Sequence, residues 1–170
     1  MERFGKPHSM KRVTILVLCA LALLVLPLAA CSGKERALES FSANISPYNH
    51  TADHIELYVD GAFGGHSSAY GGGGSFVCCV SYPAKWRPGL SAKVRWATSS
   101  GIPGDRRPEA YVQTWHEKVV PIEKYDAPGS TLNVHFLAGD EVRLIISSKG
   151  AGAKDYPGPE YPVKPRDWKW

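Results

Sequence analysis

Six histidines, four cysteines and a run of glycines are the residues whose types could do chemistry in this chain. His50 and His54 stand four apart (His-Thr-Ala-Asp-His), the spacing of two metal ligands on one helix face. Their surroundings read as a loop entering a strand, and no Glu is placed as in His-Glu-x-x-His. Trp115-His116-Glu117 lies in an extended segment, where successive side chains point to opposite faces, so the three cannot converge. His135 alternates with Leu132, Val134 and Phe136 and is assigned to the solvent face. Gly71–Gly74 lacks the Lys-Ser/Thr of a phosphate loop, and no helical pattern follows it. There is no Gly-x-Ser-x-Gly elbow and no spaced pair of carboxylates. The reading is no catalytic residue, no metal and no small-molecule substrate, with an enzyme or metal binder on His116 and Glu117 kept as an alternative.

Cys78 and Cys79 are adjacent on the expected strand Ser75–Ser81 and so point to opposite faces. Two readings stay open. They are thiols, one of them a small core residue, which is the ordinary fate of a Cys. Or they form an adjacent-residue disulfide, which would twist the peptide between them and break the strand.

The other two Cys belong to the first thirty residues or their boundary. Lys11 and Arg12 precede a 16-residue apolar run, Val13–Leu28, that ends in Leu28-Ala29-Ala30-Cys31. A basic segment, a short apolar segment and small residues before a cleavage point make a secretory signal. The run is short for a membrane span, and Pro27 disturbs its end. Met10-Lys11-Arg12 is a more ordinary signal start than Met1. The Leu-Ala-Ala-Cys ending resembles the lipobox of bacterial lipoproteins. That resemblance implies cleavage before Cys31, a diacylglycerol on its sulfur and an acyl chain on its new amino group. Two or more chains make membrane release slow, whereas one holds only marginally. By the same resemblance, Ser32 in place of Asp implies sorting to the outer membrane, facing the periplasm, over retention at the inner membrane.

This division changes the totals. The 170 residues carry 20 Lys+Arg against 16 Asp+Glu, formally +4. Arg3, Lys6, Lys11, Arg12 and Glu2 leave with the signal, so the mature chain holds 16 basic and 15 acidic side chains. A near-neutral, interspersed surface carries no footprint for nucleic acid. Of the Cys, only Cys78 and Cys79 stay in the domain, and neighbouring thiols cannot supply the paired Cys-x-x-Cys of a structural zinc site.

The elements that must position any site are strands. Residues 31–40 read as the lipidated Cys and a polar tether, and residues 41–154 as the domain. Ile55–Val59, Leu90–Trp96, Leu132–Phe136 and Val142–Ile146 alternate apolar with polar, the pattern of strands with one face on a core. Phe41–Ser46, Ser75–Ser81 and Tyr111–Val120 complete seven. Pro103-Gly104-Asp105, Pro128-Gly129 and Ala138-Gly139-Asp140 supply turns, and the last makes Leu132–Leu137 and Glu141–Ser148 a hairpin. No mature segment has a helical period. The fold expected is an all-β antiparallel sandwich of about seven strands. Gly61–Gly74, with seven Gly in fourteen residues, is expected as a loop. Asp155–Trp170, with four Pro and four aromatics, is expected as an extended tail.

Three segments are candidates for partner contact: Gly61–Gly74 with Gly72 and Gly73, the stretch Tyr82–Gly89, and the tail with Trp168. In Tyr82-Pro83-Ala84-Lys85-Trp86-Arg87-Pro88-Gly89, Trp86 and Arg87 are interface-anchor types, and flanking Pro reduces the entropy lost on docking. The competing reading has Trp86 covering the sandwich edge and stacking on Arg87 or Lys85.

The stretch Gly71–Trp96, then Trp115-His116-Glu117, Val134–Asp140 and Asp155-Tyr156-Pro157, resembles the bacterial lipoproteins grouped as domain of unknown function 3304. The likeness runs from about Ile45 to Pro159, and the Gly run followed by Phe-Val-Cys-Cys-Val is its most specific part. The tail Val163–Trp170 departs from it. The resemblance implies a lipoprotein with no assigned activity, often encoded beside type VI secretion effectors such as phospholipases. The resulting expectation is a lipid-anchored periplasmic immunity protein that binds a protein effector. The alternative is a structural envelope lipoprotein without a toxin partner.

Overall fold

A computed structural model describes residues 39–73, 77–99 and 112–169. The signal segment, the lipobox with Cys31, most of the tether, Gly74-Ser75-Phe76, the turn Pro103-Gly104-Asp105 and Trp170 lie outside the described residues.

Eight strands form two four-stranded sheets. They are β1 (Ser40–Asn49), β2 (His54–Val59), β3 (Ala62–Ser67), β4 (Val77–Pro83), β5 (Ser91–Ser99), β6 (Thr114–Pro121), β7 (Thr131–Leu137) and β8 (Glu141–Ser147). One sheet has the order β4-β1-β7-β8 and the other β3-β2-β5-β6. The core fills the space between them with Ile45, Leu57, Val59, Val94, Trp96, Leu132, Val134, Phe136 and Leu144, all essentially inaccessible. These are the residues whose alternation marks the strands. Burial of each such side chain contributes about 1.5–3 kcal/mol.

The expected architecture is borne out with two corrections. First, the glycine-rich segment is not all loop: Ala62–Ser67 forms β3 and pairs antiparallel with β2. Its glycine content hides a packing need. A Cβ at Gly64 would stand 2.7 Å from Leu57 Cγ and 3.0 Å from Ile45 Cγ2, so only Gly lets β3 lie on the core there. Second, one pairing is parallel. β1 runs alongside β7, from Asn44↔Thr131 to Asn49↔Phe136, because the chain crosses to the other sheet between them. The two central strands of that sheet are buried on both faces along most of their length.

What buries their outer face is the chain's own end. Residues 150–161 run over it: Ala151 N donates to Tyr48 Oη (3.2 Å), and Tyr161 packs edge-on against the Tyr48 ring. At Gly158, an added Cβ would meet Ile145 Cδ1 and the Tyr156 ring. The tail is irregular, as its prolines require, and it serves as a lid.

Candidate functional site

β1, β5 and β7 all finish at one end of the sandwich, and there the loops after β1 and β7 enclose a cavity of about 320 Å3. His50, Asp53, Tyr70, Trp96, Asp140 and Glu141 are among its walls. The wall loop His50–Asp53 is held by Asn49, which is fully buried and makes four hydrogen bonds. Its Nδ2 donates to Asp53 O (2.6 Å) and Ser68 O (3.0 Å). Its Oδ1 accepts from Thr51 N (2.9 Å) and Thr51 Oγ1 (2.7 Å). Such a self-satisfied buried amide fixes local geometry, because leaving any of those groups unpaired costs about 1–3 kcal/mol. Asn49, the last residue of β1, was not among the site residues expected from sequence.

Behind the cavity runs a buried polar chain. His50 Nε2 and His135 Nδ1 are 3.0 Å apart, and His135 Nε2 is 2.6 Å from Tyr156 Oη. Tyr48 stacks on the His135 ring at 4.7 Å, nearly parallel. The expectation that His135 faces solvent is overturned. Its parity is outward, as the alternation implies, but Tyr156 and the tail close over it and leave it 0% exposed. Burial pushes its pKa down to about 3, and His50 and the Arg143 guanidinium add to that effect. Burial lowers the His50 pKa too and raises that of Tyr156. All three are therefore neutral at pH 7. A neutral chain has two consistent proton arrangements. In one, His50 Nε2–H donates to His135, whose Nε2–H donates to Tyr156. In the other, Tyr156 O–H donates to His135, whose Nδ1–H donates to His50.

The expectation for Trp115-His116-Glu117 is met in geometry. His116 turns inward, stacked on Trp96 at 5.0 Å, with Nδ1 3.9 Å from Asp140 Oδ2. Glu117 turns outward and pairs with Lys93 at 2.9 Å. His50 and His54 do not converge with a third ligand. Among the described residues no group of three His, Cys, Asp or Glu is placed to hold a metal ion.

The cysteines are bridged. Cys78 and Cys79 form an adjacent-residue disulfide on β4. The reading of one Cys as a core thiol fails: Cys78 is exposed and Cys79 half-buried. The bridge distorts the strand without ending it. Ala43 pairs with Val80 and Ile45 with Val77, so two Cys stand opposite Asn44 alone, as in a β-bulge.

The candidate contact residues separate to opposite ends. Trp86 packs on the core and donates from Nε1 to Ile122 O (2.9 Å), so it covers the sandwich edge, while Arg87 stays exposed. At the other end, Gly72 lies so close to β1 that a Cβ would stand 2.6 Å from Pro47 O, and its own carbonyl accepts from Tyr161 Oη. Gly73 N donates to Pro47 O (3.0 Å). Trp168 packs edge-on against Tyr70 at 5.7 Å with Lys164 Nζ over its ring. The glycine loop and the tail thus hold each other.

Sequence reasoning passed over a surface on the second sheet. On its outer face Phe63 (39% exposed) meets Tyr58, Tyr58 meets Trp115 (41% exposed), and Arg95 lies 4.0 Å over the Trp115 ring. Tyr58, Arg95 and Trp115 have outward parity on neighbouring strands. That signal was readable once strand order was known.

A two-sheet domain with a lidded face, an adjacent-cysteine bulge and a walled end defines a small β-sandwich. The family model described as Protein of unknown function (DUF3304) matches residues 48–144, more than half of the chain. The chain belongs to that family. No curated protein and no solved structure matches it.

Proposed function

We propose that this chain is a lipid-anchored protein-binding module of the outer membrane, facing the periplasm, and that it acts as an immunity protein against a lipase-type effector of type VI secretion. The observation that carries the binding role is the exposed aromatic face. Trp, Tyr and Arg are the residues that dominate interface energetics, and here Arg95 lies over the Trp115 ring with Tyr58 beside it on one sheet face. The tail covers Tyr48 and Ile145 on the opposite sheet, whereas Phe63 and Trp115 on this face are exposed among the described residues.

The anchor would be Cys31, carrying diacylglycerol and an N-acyl chain such as palmitate. Cys31 is eight residues before Glu39, a reach of at most roughly 30 Å. Tethering would hold the blocker on the membrane its target attacks and raise its effective concentration there. The effector assignment rests on the family resemblance.

Two measurements test the reading. Metabolic labelling with a radioactive fatty acid should mark the wild-type chain and not Cys31→Ser. Deleting the gene should sensitise cells to a lipase-type effector, should one be encoded beside it. Full resistance after deletion would sink the immunity role.

A further inference from the structure

The adjacent-cysteine bridge has no part in the aromatic face, and stapling does not account for it. A disulfide stabilises a fold by closing a length of chain, and the gain grows with that length. Cys78 and Cys79 are neighbours, so their bond closes no segment and joins no two elements. β4 is already held to β1 by backbone pairing on both sides of the bridge, at Val77↔Ile45 and Val80↔Ala43. The pair even interrupts regular pairing, because both Cys stand opposite Asn44 alone.

Its place suits reaction instead. The order β4-β1-β7-β8 puts β4 at the edge of its sheet, and Cys78 is exposed there. Tyr48, Asn133 and His135 on the same sheet are buried. Exchange needs a thiolate to reach one sulfur, so exposed bridges are the labile ones. Cys79 is half-buried, with Sγ 3.5 Å from Asn44 Oδ1. A bonded sulfur carries no hydrogen, so this contact becomes a hydrogen bond only when Cys79 is a thiol. With the amide turned over, its N–H would meet a Cys79 thiolate. In both orientations Asn44 favours the reduced form.

We propose that Cys78–Cys79 is a thiol–disulfide exchange site that takes two electrons from a dithiol, with Asn44 as a positioning residue. One thiolate of the dithiol attacks the exposed Cys78 Sγ and forms a mixed disulfide. The Cys78–Cys79 bond breaks, its electron pair leaves on Cys79, and that sulfur takes a proton beside Asn44. The second thiolate of the dithiol then attacks its own sulfur in the mixed disulfide. Cys78 leaves and takes a second proton. The dithiol ends as a disulfide, and Cys78 and Cys79 end as thiols. The inference stands whether or not the aromatic face binds a protein.

The test uses the full-length chain carrying Cys19→Ser and Cys31→Ser, which leaves Cys78 and Cys79 as its only cysteines. Reduction by dithiothreitol is timed in native buffer and in denaturing urea, by acid quench, alkylation and intact mass. The native rate is expected within about tenfold of the denatured rate, with the native circular dichroism kept. Oxidised glutathione should then restore the bridge. A bridge reached only through unfolding would react about a thousandfold more slowly. That result, loss of the native spectrum, or failure to reoxidise would overturn the proposal. Brief treatment with 2-mercaptoethanol should leave an adduct that fragment mass places on Cys78, and an adduct on Cys79 would overturn the order of attack. Asn44→Ala should shift the equilibrium in a glutathione buffer about fivefold toward the disulfide, the scale of one hydrogen bond. An unchanged ratio would overturn the part given to Asn44. A last arm compares dithiothreitol with reduced thioredoxin at equal concentration. Faster reduction by thioredoxin assigns the dithiol to a protein, and faster reduction by dithiothreitol assigns it to a small molecule.

Discussion

Acid should destabilise this domain through one residue. His135 is fully buried and its pKa falls to about 3, against about 6.5 in an unfolded chain. Because the folded value is depressed, the neutral form supports the fold. Its contribution is complete above about pH 6.5 and is lost progressively as pH falls toward 3, where the folded state also takes the proton. Each pH unit in that window removes about 1.4 kcal/mol. Between pH 7 and pH 4.5 the loss is about 2.5 kcal/mol, a large part of a domain's 5–15 kcal/mol. The groups facing His135 reinforce the sign. They are His50 at the end of β1, Tyr48 stacked on the ring, Tyr156 from the tail and the Arg143 guanidinium from β8. None is a carboxylate that could stabilise an imidazolium by direct contact, since Glu123 is paired bidentately with Arg143. The assay is urea unfolding of wild type and His135→Gln at both pH values. The variant is expected to be less stable than wild type at pH 7 but to lose about 2 kcal/mol less on acidification. Parallel pH dependence in the two proteins would refute the reasoning.

Three further outcomes follow from the packing. Gly64→Ala should cost about 1–3 kcal/mol, read from thermal or urea unfolding, because its methyl would overlap Leu57. Tyr156→Phe should cost about 1 kcal/mol, read the same way, by leaving His135 Nε2 without its partner under the tail. The mature chain without Cys31 should resist alkylation by iodoacetamide and take up two labels after reduction, checked by intact mass, because Cys78 and Cys79 are bonded to each other.

The alternation of Leu132, Val134 and Phe136, and of Val142, Leu144 and Ile146, told which faces meet the core, and both strands lie as read. The Ala138–Asp140 turn joins them as expected. Parity is local, so it survives into the fold. Solvent exposure is not local. His135 has the outward parity assigned to it, yet a segment twenty residues later covers it, and only the tertiary path of the tail reveals that. β3 was hidden for a related reason: Gly64 lowers strand propensity but is demanded by close approach to Leu57. The parallel β1–β7 pairing leaves no mark on composition or period. Trp86 shows the opposite case: it covers the sandwich edge as the intramolecular reading has it, but among the described residues it does not stack on Arg87 or Lys85. His50 in the cavity wall and His135 behind it could not be joined from sequence, because they meet only through that parallel register.

The central claim is that the outer face carrying Tyr58, Arg95 and Trp115 binds a protein effector. Calorimetric titration of the full-length chain with a purified lipase-type effector, chosen from any encoded beside its gene, tests this most directly. The account predicts a complex with a Kd of about a micromolar or tighter. Trp115→Ala, at an exposed position, should weaken that complex at least about tenfold. No binding, or binding unchanged in Trp115→Ala, would contradict it.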